Sequence, residues 1–261
     1  MIRSIAHLTD LSPEGTPAFE HALRLALAYR CELHVIHVGD PDHDGMPRVR
    51  GLLQRWGYIE PGARAKDILP ATGVTVIKAK LKEADVVDAL WVYLTSNRLE
   101  LIVAASHGRA GLLHQSVSAK IAQVAKVPAL IFGPAARPFV DSKTGNFHDI
   151  NTMLVPVDHD PAPDGAIMLL DAFAEQLGIG YDFVHIGASA PALPSVQGAP
   201  RTARTLKGAV VETILDEASK VKLMAMPMAG RNGLIDALRG STTERVLNEV
   251  TCPVLVIPVA S

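Results

Sequence analysis

The feature that most constrains this chain of 261 residues is that it repeats itself. Displaced by 148 positions, the second half opens on the first without a gap: Ile2 falls on Ile150, Asp10 on Asp158, Pro13 on Pro161, His37 on His185 and Gly39 on Gly187. Later stretches match in the same order at shorter offsets. His107-Gly108-Arg109-Ala110-Gly111-Leu112 answers Ala229-Gly230-Arg231-Asn232-Gly233-Leu234, and Val127-Pro128-Ala129-Leu130-Ile131 answers Cys252-Pro253-Val254-Leu255-Val256. Such self-similarity predicts two copies of one folding unit. Residues 137–148 hold Pro, Asp, Ser, Lys, Gly and Asn and read as the linker between domains at 1–136 and 149–261.

Both halves alternate strand and helix patterns. The first predicts strands at Ile2–Leu8, Leu33–Val38, Val74–Lys78, Leu99–Ala104 and Ala129–Phe132, with helices at Pro17–Tyr29 and Glu83–Thr95. The second predicts strands at Met153–Val157, Tyr181–Ile186, Lys222–Met226 and Val254–Val259, with helices at Gly165–Leu177 and Ala209–Lys220. This order implies an α/β fold with doubly wound parallel sheets and right-handed crossovers. Ligands of such sheets sit beyond the carboxyl ends of the strands, where the strand order reverses.

A hydrophobic content of 48% suffices for a substantial core, and the net charge of −2 gives no bulk attraction for nucleic acid or an anionic membrane surface. Cys31 and Cys252, far apart in apolar segments, read as buried structural thiols. There is no apolar run long enough to span a bilayer and no signal core at the N-terminus, so a soluble cytoplasmic protein is expected.

The loop after the fourth strand of half two is the most informative segment. Gly230 and Gly240 are separated by nine residues, and Ser241 opens the last helix. Glycine lets the backbone approach a ligand closely, and a helix N-terminus suits phosphate. Ser241-Thr242-Thr243-Glu244 is also a capping box, which starts a helix without any ligand.

Taken together, Leu154-Val155-Pro156-Val157-Asp158, the Gly230-x9-Gly240-Ser241 spacing and Cys252-Pro253-Val254-Leu255-Val256 resemble a universal stress protein domain, and the whole resembles a tandem member of that family. The resemblance implies two Rossmann-like domains of the adenine nucleotide α-hydrolase-like kind. It implies ATP or another adenine nucleotide, with Mg2+ as its companion ion, bound in the second domain. Carried over residue by residue, Gly230, Gly240, Ser241 and Thr242 hold phosphates, Asp158 meets the adenosine with Val157 beside it, and Ile186 and Met226 line the adenosine pocket. Pro227 stands where the family's loop motif has its first Gly, and proline brings no N–H. Half one departs further: Ala105 replaces that Gly, six residues separate Gly108 from Gln115, and Gln115 stands where Gly240 stands. An altered or non-binding site is expected there, with Asp10 as a turn residue.

The implied role is a stress-response binding module with an unidentified protein partner, not an enzyme. The alternative is a ligand-free interaction scaffold. In either case the last strands, Ala129–Phe132 and Val254–Val259, are expected to meet as an internal pseudo-dimer, with a homodimer left open. A third reading, an α-hydrolase-like enzyme, lacks its pyrophosphate loop: the position reads Asp158-His159-Asp160-Pro161.

Other motifs read as framework. Asp40–Gly45 begins like a calcium loop, but Gly51 stands where its last ligand belongs. His34 and His37 point to opposite faces of a strand. His37 and His185 read as hydrogen-bonded framework residues, Asp158-His159-Asp160 as a helix-approach turn, and Arg48, Arg50, Arg55, Arg64 and Lys66 as a solvated helical face. Ser106-His107 lacks an orienting third group for catalysis.

Overall fold

Consecutive aliphatic residues that are buried throughout belong in strands covered on both faces. Leu101–Ala105 is such a run, and Ser4–Leu8 and Ala129–Phe132 are likewise buried along their whole length. The computed structural model describes residues 2–39, 45–82, 85–106, 126–196, 199–229 and 242–259. Half one contributes β1 (Ser4–Leu8), α1 (Thr16–Tyr29), β2 (Glu32–Val38), α2 (Val49–Arg55), α3 (Ile68–Thr72), β3 (Thr75–Leu81), α4 (Val86–Ser96), β4 (Leu101–Ala105) and β5 (Ala129–Phe132). Half two contributes β6 (Thr152–Pro156), α5 (Asp164–Leu177), β7 (Gly180–Ile186), β8 (Leu193–Val196), β9 (Ala199–Arg201), β10 (Arg204–Leu206), α6 (Val210–Ala218), β11 (Leu223–Ala229), α7 (Thr242–Glu249) and β12 (Val254–Val259).

Ten strands form one sheet in the order β10-β7-β6-β11-β12-β5-β4-β1-β2-β3. Each half is parallel, with its strands in the order third-second-first-fourth-fifth. The halves join where β12 pairs antiparallel with β5: Val254 faces Ile131, Leu255 faces Leu130 and Val256 faces Ala129. The last strands therefore meet within the chain.

The sheet separates two apolar layers. On one face Ile5, Leu101 and Val155 pack with Leu25 of α1 and Leu170 of α5. On the other, Ala6, Leu154 and Val256 pack with Leu90 of α4, Ile214 of α6 and Val246 of α7. Both cysteines lie in these layers, and burial pushes both thiols up to about 12. The helix starts use local chemistry: Asp85 accepts hydrogen bonds from the N–H groups of Val87 and Asp88 at the start of α4.

The halves differ in what they insert between their second and third strands. Half one carries α2 and α3, with Val49, Leu52 and Leu53 buried and Arg48, Arg50 and Arg55 exposed. Half two carries the β8–β9 hairpin, then the short edge strand β10. Arg204 on β10 pairs with Asp182 and Glu217.

Residues 137–148 are not a free tether. Val140 and Phe147 bridge as antiparallel partners, and Phe139 is fully buried. The Phe139 N–H donates to His21 Nε2 at 2.9 Å, Trp56 Nε1 donates to Ser142 O at 3.1 Å, and Arg24 Nε donates to Gly145 O at 2.8 Å. The Arg24 guanidinium lies 4.2 Å from the centre of the Phe147 ring. This segment is a hairpin docked on α1 and α2.

Candidate functional site

The order of strands reverses between β6 and β11 in half two and between β1 and β4 in half one. At these two points a crevice opens if the neighbouring strands part. They part in one half only. β1 and β4 stay paired up to Leu8–Ala104, close to the end of β1. β6 and β11 pair only at Met153–Leu223 and Leu154–Met224, while β11 follows β12 for six residues, through Ala229–Val259. Pro227 lies beyond the last β6–β11 pair, opposite Ile257 of β12, where its missing N–H interrupts no bond to β6.

Asp158 stands two residues past the end of β6, at the mouth of this crevice, with its carboxylate exposed. Its Oδ1 accepts the His159 N–H at 2.8 Å and lies 3.8 Å from His185 Nδ1. Val157 is buried in the apolar layer on the α5 side. Ile186, the last residue of β7, and Met226, midway along β11, join the layer on the α6 side together with Val211. The structure thus brings Ile186 and Met226 to one face, places Asp158 at the rim and turns Val157 to the opposite face. Thr242 is the first residue of α7 and is exposed. Gly230, Gly240 and Ser241 lie outside the described residues, as do residues 107–125 in half one, Gln115 among them, and residues 40–44.

His185 Nδ1 donates to Val157 O at 3.1 Å, and His37 Nδ1 donates to Thr9 O at 2.9 Å. Each carbonyl can only accept, so both rings carry the proton on Nδ1. The two histidines do the same work: each ties the end of a second strand to the residue just past the first. His34, on the opposite face, meets the Tyr93 hydroxyl at 3.0 Å. The sequence places His159 only in a helix-approach turn. Its ring stands edge-on to His185 at 5.4 Å, and its Nε2 donates to Ser189 O at 3.0 Å. His159 thereby forms part of the rim beside Asp158. The sequence signal that would have found it is its place directly after the strand-one Asp.

In half one the equivalent space, between Leu8, Ile36, Val38, Val86 and Leu90, has a volume of about 10 Å³. That admits about one water molecule, against the several hundred Å³ of a ligand pocket.

Among the described residues no cluster of three or more His, Cys, Asp or Glu side chains is arranged to hold a metal, and no helix is long and apolar enough to cross a membrane.

The chain matches the model of the universal stress protein family over residues 1–133 and 197–258. By structure it is similar to a functionally unknown protein from Pseudomonas aeruginosa PAO1, with a TM-score of 0.63 at 17% identity, covering 98% of this chain and 92% of that one. It is also similar to a universal stress protein from Archaeoglobus fulgidus DSM 4304, with a TM-score of 0.59 at 17% identity, covering 98% and 96%. No curated protein matches the chain by sequence. The matched segments take in most of both halves, so the chain belongs to the universal stress protein family.

Proposed function

We propose that half two binds an adenine nucleotide, ATP foremost, and that the chain acts as a stress-response binding module whose nucleotide state is read by a protein partner. One observation carries this reading: β11 leaves β6 after Met224, so the sheet is open at the switch point of half two and closed at that of half one. The adenosine would enter between Ile186 and Met226, with Asp158 at the rim. The phosphates would run toward Gly230, Gly240, Ser241 and the first turn of α7 at Thr242. Mg2+ binds through phosphate oxygens and one or two carboxylates, so it would arrive with the nucleotide. Any hydrolysis would be slow.

The test is a Gly240→Gln variant assayed by equilibrium dialysis and circular dichroism. It should keep its fold and lose ATP. Retention as tight as the parent's would refute the site. The alternative, a ligand-free scaffold, draws support from the unbroken β5–β12 junction. It would be favoured if the parent chain retained no nucleotide at millimolar ATP.

A further inference from the structure

We propose that half one holds a second binding site, for a small uncharged polyol of monosaccharide size, in the cavity between β1, α1 and α2. This cavity of about 520 Å³ lies on the α1 side of the sheet, away from the closed crevice of half one. Its size is in the range of small-molecule pockets.

Two of its wall residues carry polar atoms with nothing to bond. His7 is fully buried and lines the cavity. Its Nδ1 donates to Val103 O at 3.1 Å, which leaves Nε2 as a lone-pair acceptor, and Nε2 is buried without a partner. Ser12 is 8% exposed, and its Oγ is also buried without a partner. Buried polar atoms are nearly always paired, so two orphans in one wall call for a missing group. Burial holds His7 down at about 4, so at neutral pH the ring is uncharged and its Nε2 accepts. The missing group must therefore donate.

Half two has no histidine at the matching position. The repeat places Val155 opposite His7, and Val155 is a fully buried member of the apolar layer in half two. The fold accepts an aliphatic residue at this position, so the strand does not need a histidine there.

The remaining wall fixes the ligand class. Glu20 offers a buried carboxyl as a second acceptor. Phe19 and Leu52 give apolar walls for C–H groups. Arg48 and Arg55 at the exposed mouth are offset by Glu20, which lies within the field of Arg55, and by Asp10, whose charge is felt at His7. The balance favours an uncharged ligand rich in hydroxyls over an anion.

The experiment is nitrogen NMR of the full chain labelled at histidine, titrated with myo-inositol and with D-glucose, and with inorganic phosphate and ATP as controls. A His7→Phe variant assigns the resonance. The expected result is a saturable shift of His7 Nε2 at millimolar polyol, none with phosphate or ATP, and loss of polyol binding in His7→Phe. Ser12→Ala should weaken binding about tenfold, the equivalent of one hydrogen bond. If His7→Phe fails to fold, the parent's titration and Ser12→Ala decide. No shift with either polyol, a shift with phosphate alone, unchanged affinity in the variants, or ordered water alone in the cavity of crystals soaked in polyol would each overturn the proposal. Because this site is separate from the nucleotide crevice, failure of one leaves the other standing.

Discussion

A histidine followed two residues later by glycine closes the second strand of each half, and the structure explains the pair. A Cβ on Gly187 would stand 2.4 Å from His185 Nε2, and one on Gly39, whose φ is +152°, would stand 2.9 Å from His37 Nε2. Neither glycine is there for a turn alone, because the ring needs the space. Gly187→Ala should displace His185, break its bond to Val157 and cost about 1–3 kcal/mol, measured by urea denaturation. The match of these pairs was legible in the repeat, but its cause was not, since nothing in the sequence says where a ring will lie. The buried histidines also set a pH dependence. Burial lowers His7 to about 4 and His21 to about 3, below the 6.5 expected when unfolded. Between these limits the unfolded chain binds more protons, so their contribution is complete above pH 6.5 and is lost as pH falls. The expected slope is about 1.4 kcal/mol per pH unit for each histidine. Glu20, raised by burial, opposes this at the acid end. Urea midpoints between pH 7 and 5 should therefore fall, and His21→Phe should make the fall about half as steep.

At the scale of elements, legibility followed apolar pattern. β5 and β12 occupy the expected residues, because short, almost wholly apolar runs rich in Val, Leu and Ile admit little else. The third strand of half two escaped detection. β10 is three residues long and is held to the sheet edge by Arg204 and its carboxylate partners, which composition reads as solvated. α2 left a fainter trace, with Val49, Leu52 and Leu53 at helical spacing under exposed arginines. Residues 137–148 are the clearest case of a hidden role. Their composition reports turns correctly, but docking depends on Trp56 and Arg24, far away in sequence. Gly145 lies at φ +71°, and a Cβ there would meet the Trp56 ring at 2.5 Å. Gly145→Ala should cost roughly 2–3 kcal/mol and shift Trp56 fluorescence toward the solvated wavelength before global unfolding. A drop in stability without that shift would mean that the hairpin stays docked.

The two halves share one ten-stranded sheet because two apolar edges cover each other. A fragment of residues 1–148 keeps the docked hairpin but bares β5. It should associate through that edge in sedimentation velocity, and Leu130→Lys should disperse it; a monomeric fragment would show that β5 needs no cover. The candidate crevice was less legible than this architecture. Asp158 was legible as the residue just past the first strand of half two, but the parting of β11 from β6 depends on how two strands twist away from each other, which no local pattern encodes. The antiparallel junction has a further effect. The strands of half two run against those of half one, so their carboxyl ends emerge on opposite rims. A protein that gripped the rim proposed for nucleotide would leave the other rim free for a second visitor, and no single small molecule can touch both.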